Sequence, residues 1–268
     1  MSDFLVEPQE LLDEAARKDV LFLDGRRSAP YEAGHIPGAV KFTTYYELAL
    51  DTRRAGLAAF AQDMAQRYGA VGVSRERPII VYEEHTGMFA ARDLWMLQWL
   101  GCRDVRMLHG GYAEWKAAGG ESETELVQPV AARFDPEMRD ELVIGSAELE
   151  KRLRTPGLTV LDVREAAEYE GRDNTPCCAR RGHVPGAVWV EWTELLEAGQ
   201  YKSPEEIRKL AAEKGVDVKS EIAPYCHRGA RSAAAYYALK HAGFAKLRNF
   251  LGSWHEWSAR GDLPLEKP

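Results

Sequence analysis

Cys226 opens the segment Cys226-His227-Arg228-Gly229-Ala230-Arg231. A short apolar stretch, Glu221-Ile222-Ala223, runs into it as the end of a strand. The helix-favouring run Ser232-Ala233-Ala234-Ala235-Tyr236-Tyr237-Ala238-Leu239-Lys240 follows it. A thiol between a strand end and a helix N-terminus meets unpaired backbone N–H groups and the positive end of the helix dipole. Arg228 and Arg231 add two guanidinium charges. Helix ends and cationic neighbours favour the thiolate, at about 1.4 kcal/mol for each pKa unit of lowering. The pattern therefore points to Cys226 as a nucleophile rather than a packed structural cysteine. Gly229 permits tight curvature, so that the amides of His227, Arg228, Gly229, Ala230 and their successors can converge on one anion. Arg231 keeps two readings open: a cation acting at the thiol, or a clamp on a nearby carboxylate.

Other cysteines carry weaker signals. Cys177 and Cys178 lie in the stretch Glu170–Arg181. They read either as thiols able to exchange with Cys226 or as ordinary loop residues. Two adjacent thiols without a second cysteine pair make a poor zinc site, so no metal and no other cofactor is expected. Cys102 follows a predicted helix and reads as packing. Trp254-His255-Glu256-Trp257 is not a metalloprotease motif and reads as packing for the last helix.

The elements that position these residues occur twice. Leu21-Phe22-Leu23-Asp24-Gly25-Arg26 and Gly34-His35-Ile36-Pro37-Gly38-Ala39-Val40 in the first half match Val160-Leu161-Asp162-Val163-Arg164 and Gly182-His183-Val184-Pro185-Gly186-Ala187-Val188 in the second. Gly101 to Trp115 and Gly243 to Trp257 both span 14 positions. Apolar strands such as Val20–Leu23, Pro78–Tyr82 and Leu158–Leu161 alternate with helices, which implies α/β units with parallel sheets covered on both faces. Ser203-Pro204-Glu205-Glu206 has the N-cap serine, N1 proline and N3 glutamate of a helix start. The reading divides the chain into a first domain over 1–120, a polar linker over 121–140 and a second domain over 141–268.

With 268 residues, the chain accommodates two domains of ordinary size. It is 45% hydrophobic and 29% charged, a globular profile, and its net charge of −7 carries no basic stripe for nucleic acid. No apolar run approaches the roughly 20 residues of a membrane span, and no signal peptide is evident. Four cysteines make no disulfide framework, so a cytoplasmic location is expected.

The Asp-x-Arg after a strand, the Gly-His-[Ile/Val]-Pro-Gly-Ala block, the Cys-x-x-x-x-Arg loop and the final Gly-Gly/Ser-aromatic-x-x-Trp block together resemble the rhodanese family of sulfurtransferases, as a tandem of two domains over nearly the whole chain. The resemblance implies a mainly five-stranded parallel sheet flanked by helices in each domain. It also implies an active site at the carboxyl end of the sheet. Sulfur would pass from a donor such as thiosulfate to cyanide or a thiol, including low-molecular-weight or thioredoxin-like thiols, through a Cys226 persulfide. Arg228 and Arg231 would hold an anionic donor, and His227 would serve mainly through its backbone. In tandem members basic residues after the first strand help bind the donor, which nominates Arg164, Arg181 and Lys202. Arg164 and Asp162 have counterparts in Arg26 and Asp24, so a structural pairing is the competing expectation. His35 and His183 read as turn residues.

The two halves differ where it matters. Glu83 stands in the place of Cys226, so the first domain is expected to be catalytically silent and to wall the cleft. A cysteine phosphatase would need one more residue between cysteine and arginine. 3-Mercaptopyruvate sulfurtransferases resemble the chain in layout but carry small uncharged residues after the cysteine. The cationic loop here favours thiosulfate. A regulator that only binds partners is the non-enzymatic alternative.

Overall fold

The structure is a computed structural model that describes residues 3–153, 155–173, 178 and 180–267. The chain splits into two compact units, Met1–Glu47 with Ala59–Arg139, and Leu48–Ala58 with Asp140–Pro268. Residues 48–58 thus belong to the second unit although they lie within the sequence span of the first.

The first unit is built on five parallel strands: β1 (Leu5–Val6), β2 (Leu21–Asp24), β3 (Val40–Lys41), β4 (Ile79–Tyr82) and β5 (Val105–Leu108), in the order β1-β5-β4-β2-β3. Leu21–Asp24 and Ile79–Tyr82 are buried at every position, as expected of central parallel strands covered on both faces. The helices are α1 (Glu14–Arg17), α2 (Ser28–Ala33), α3 (Arg54–Ala70, of which Arg54–Ala58 fall in the second unit), α4 (Met88–Trp99) and α5 (Gly111–Ala117). The polar stretch after residue 120 does not run free. His35 and Glu123 exchange backbone hydrogen bonds, His35 N to Glu123 O at 2.9 Å and Glu123 N to His35 O at 3.0 Å, and Arg139 N donates to Trp99 O at 2.8 Å.

The second unit repeats this plan with weaker edges. Its helices are α6 (Ser146–Arg152), α7 (Ala166–Tyr169), α8 (Pro204–Glu213), α9 (Ala230–His241) and α10 (Ser253–Ala259). Its strands are β6 (Leu158–Asp162), β7 (Val188–Trp189), the short antiparallel pair β8 (Leu196–Glu197) and β9 (Gln200–Tyr201), and β10 (Glu221–Tyr225). β10, β6 and β7 form a parallel ladder. Two further segments complete five strands by isolated parallel bridges, Ile222 with Leu247 and Val143 with Asn249. The order therefore matches that of the first unit. Tyr225, Phe250, Trp254 and Trp257 pack with Ile144, Val160 and Val184 in the core beneath the site.

Candidate active site

β10 ends at Tyr225, and α9 begins at Ala230 after Gly229, whose φ of 88° lies in the left-handed region. Cys226 is therefore held between a strand end and a twelve-residue helix. Tyr225 fixes the approach: its hydroxyl donates to Asp162, and Val184 N donates to that hydroxyl at 3.1 Å. Cys226 N donates to Ser253 Oγ at 3.2 Å. The first turn of α10 is pinned to the same loop, with Trp254 N to Cys226 O and His255 N to His227 O, both 2.9 Å.

The sulfur is cradled. Gly229 N donates to Cys226 Sγ at 3.1 Å, and the amides of Arg228 and Ser232 also bond to the sulfur. Cys226 is only 1% exposed. Burial alone pushes its thiol up, but the charge of Arg231 and the three amide bonds outweigh it and hold it below the ordinary thiol value. The thiol is enclosed, and the surrounding amides are turned toward it. His227 is pushed down to about 4, first by burial and then by the charge of Arg228, so at neutral pH its ring is uncharged.

Glu168 completes the arrangement. Arg231 grips its carboxylate with Nη1 at 2.5 Å and Nη2 at 2.8 Å. Arg231 is thus both the clamp and the largest favourable charge at the thiol. Burial opposes ionisation of Glu168, but Arg231 prevails and lowers it.

A cleft with about 300 Å³ of empty space opens beside this loop, lined by Arg164, Glu168, Gly171, Asp173, Cys178, Arg180, Arg181, His227 and Trp254. Arg164 reaches its wall but is committed elsewhere. Its guanidinium bonds Asp162 (Nη2 to Oδ2, 2.6 Å) and the carbonyl of Gly182 (2.9 Å), and it stacks 4.7 Å from the Trp254 ring centroid. Arg26 repeats this arrangement with Asp24 and Gly34 O. Arg181 lines the cleft from an exposed position. Arg228 is half-buried and acts on the imidazoles of His227 and His255 without lining the cleft. Lys202 is not brought to the cleft; it follows β9 beside Glu206. Ala230 is buried and contributes backbone alone.

His35 and His183 are turn residues, each bonding a tyrosine carbonyl through Nδ1 at 2.9 Å and stacking on that ring. Cys102 is buried, with its thiol pushed up to about 12 by burial. Cys177 lies outside the described residues. Cys178, however, lies close to His227 and His255, their ligand atoms all within 4.8 Å of one another. The metal-poor reading of the cysteine pair considered only neighbours in sequence, and both histidines come from distant elements. Glu168 and Trp254 were also missed as cleft residues, whereas Arg180 belongs to the stretch Glu170–Arg181, an insertion in the second half that the sequence places over the cleft. Only Glu168 left a local signal, as the N3 partner of Glu165 in a capping box.

In the first unit the carboxylate of Glu83 takes the sulfur's place. It accepts Phe89 N at 2.7 Å and Ala90 N at 3.0 Å from the start of α4. Burial pushes it up to about 7. Tyr112 N and Ala113 N bond the carbonyls of Glu83 and Glu84, which mirrors the α10 contacts of the second unit.

Two matches to the model of the rhodanese-like domain, at residues 7–118 and 146–260, cover most of the chain. The chain belongs to the rhodanese-like family. Relatives of similar length are named as sulfurtransferases. The chain is 29% identical over 264 residues to the thiosulfate sulfurtransferase of Pseudomonas aeruginosa, covering 98% of this chain and 96% of the relative. It is also 29% identical over 262 residues to the 3-mercaptopyruvate sulfurtransferase of Escherichia coli K12, covering 92% of each. A crystal structure described as a probable thiosulfate sulfurtransferase superposes with a TM-score of 0.76 at 29% identity, covering 94% of this chain and 98% of that one. No helix among the described residues is long and apolar enough to cross a membrane.

Proposed function

We propose that this rhodanese is a thiosulfate sulfurtransferase working through a Cys226 persulfide. The observation that carries the reading is the cradle at the N-terminus of α9, in which three amides and Arg231 favour the thiolate of an enclosed cysteine. The thiolate attacks the outer sulfur of thiosulfate; the S–S bond of the donor breaks and sulfite leaves with the electron pair. Cyanide or a thiolate then attacks the terminal sulfur of the persulfide and Cys226 departs as thiolate. The same amides that hold the thiolate suit the persulfide anion. Arg181 on the cleft wall, Arg228 in the loop and Arg231 behind the sulfur supply the positive field for a compact dianion. An enclosed sulfur favours a donor that presents its reacting atom at a narrow end, as thiosulfate does.

The relative named for 3-mercaptopyruvate keeps a second donor in play, and the charge of the loop argues for thiosulfate. Steady-state turnover with both donors tests this. Higher kcat/KM for thiosulfate is expected, and Arg228→Ala should raise the thiosulfate KM. Intact mass after thiosulfate treatment should show one added sulfur atom in the wild type and none in Cys226→Ser, which should also lose turnover. Sulfur uptake by the serine variant, or no uptake by the wild type from either donor, overturns the reading.

A further inference from the structure

We propose that Cys178, His227 and His255 form a binding site for a thiophilic divalent cation of the zinc type, in the cleft beside Cys226. The Sγ of Cys178 and one imidazole nitrogen of each histidine lie within 4.8 Å of one another. One thiolate and two imidazoles are a donor set for zinc with a fourth position left for water or a ligand, and a set without carboxylates disfavours magnesium and calcium. Zinc bond lengths require tetrahedral ligand atoms about 3.3–3.6 Å apart, so the side chains need to close by no more than about 1.5 Å.

The scaffold that carries the triad is already fixed. His255 N donates to His227 O at 2.9 Å, and the two rings stand edge to face at 64° with centroids 5.7 Å apart. Arg180, two residues after Cys178, ties its segment to the end of α10. It donates to the carbonyls of Trp257 (2.7 Å), Ser258 (3.0 Å), Arg260 (2.5 Å) and Leu263 (2.7 Å). The chain two residues beyond the thiol is thus tied to the same helix that bears His255. The Nδ1 of His255 is buried with no hydrogen-bond partner, a condition that calls for a compensating group, which a metal ion held at that nitrogen would supply. Among the described residues the arrangement occurs in the second unit and has no counterpart in the first. Ala113 makes the backbone bond that His255 makes, and Glu84 occupies the place of His227.

The test uses the full chain carrying Cys226→Ser, so that binding is read independently of sulfur transfer. Titration with Co2+ should give one equivalent with a thiolate-to-cobalt charge-transfer band and the intense visible bands of tetrahedral cobalt, and Zn2+ should displace it. Adding Cys178→Ser should abolish the charge-transfer band. Adding His255→Ala should weaken binding by about 10-fold or more, since even outer-shell partners of metal ligands are worth that much. In the Cys226→Ser parent, Zn2+ but not Mg2+ should protect Cys178 from alkylation, read by peptide mass; this arm requires no further variant to fold. No cobalt band in the parent, a band that survives Cys178→Ser, unchanged affinity in His255→Ala, or no zinc protection would each overturn the proposal.

Discussion

Burial and charge compete at the thiol of Cys226, and three amides with one guanidinium decide the outcome. A sulfhydryl enclosed to 1% exposure would by itself stay neutral. With the cradle, its ionisation falls below the ordinary range. The rate with thiosulfate should accordingly climb with pH along a limb lying below the unperturbed value of about 8.5. Arg231→Ala should move that limb upward, measured as the pH profile of kcat/KM. The same substitution leaves the carboxylate of Glu168 buried without its partner, at a cost of about 3 kcal/mol in urea unfolding near neutral pH. Glu168 is depressed in the folded state. Its pairing stabilises the fold above the unfolded carboxylate value, about 4.3, and that contribution disappears as pH falls through the folded value. The deficit of Arg231→Ala should therefore shrink in acid.

Two elements set the geometry of the loop. The left-handed φ of Gly229, 88°, lets the chain turn from β10 into α9 with its amide aimed at the sulfur. An alanine there is strained by about 1 kcal/mol. Gly229→Ala should lower stability by that order and raise the Cys226 thiol pKa, followed by thiolate absorbance against pH. Helix α10 is held from its other face by Glu256, which is 2% exposed. Its carboxylate accepts Thr52 N at 3.0 Å, Thr52 Oγ1 at 2.6 Å and Ser146 Oγ at 2.7 Å, while Ser146 N donates to Thr52 Oγ1 at 2.8 Å. This junction places residues 48–58 in the second unit. Thr52→Val removes a donor and an acceptor from a buried charged cluster, and the urea midpoint should fall by an amount equivalent to about 1–3 kcal/mol.

At the scale of the molecule, one plan has been used twice and given different contents. Both units carry the Asp-x-Arg clamp, the histidine turn and a loop pinned by the following helix. A glutamate closes each turn: Gly38 N donates to the carboxylate of Glu123 at 2.7 Å, and Gly186 N to that of Glu266 at 2.8 Å. The first unit lacks the nucleophile, and Met88 starts its helix where the second unit supplies Arg231 nearby. Glu83→Cys in a Cys226→Ser background should therefore restore no transfer, because Met88-Phe89-Ala90-Ala91 at the start of that helix supply no counterpart of Arg231. Recovery of thiosulfate turnover in that double variant would show that the backbone cradle alone suffices.

The sequence by itself determined the duplication, the strand–loop–helix around Cys226, the family and the inequality of the two halves, because each is written in residues a few positions apart. Short-range spacing dictates strand, turn and helix start, and the repeated blocks needed no partner to be recognised. Tertiary structure decided which cation meets which anion. Arg164 turns to Asp162 two residues away and also to Gly182 O; Arg231 finds Glu168, 63 positions earlier. Lys202 stays outside the cleft while Arg180 and Cys178 enter it. His255, read as packing, meets His227 and Cys178. Charged and ligating side chains have long reach and no periodicity, so their partners are chosen only once the sheet order and the helix anchors bring distant segments to one edge.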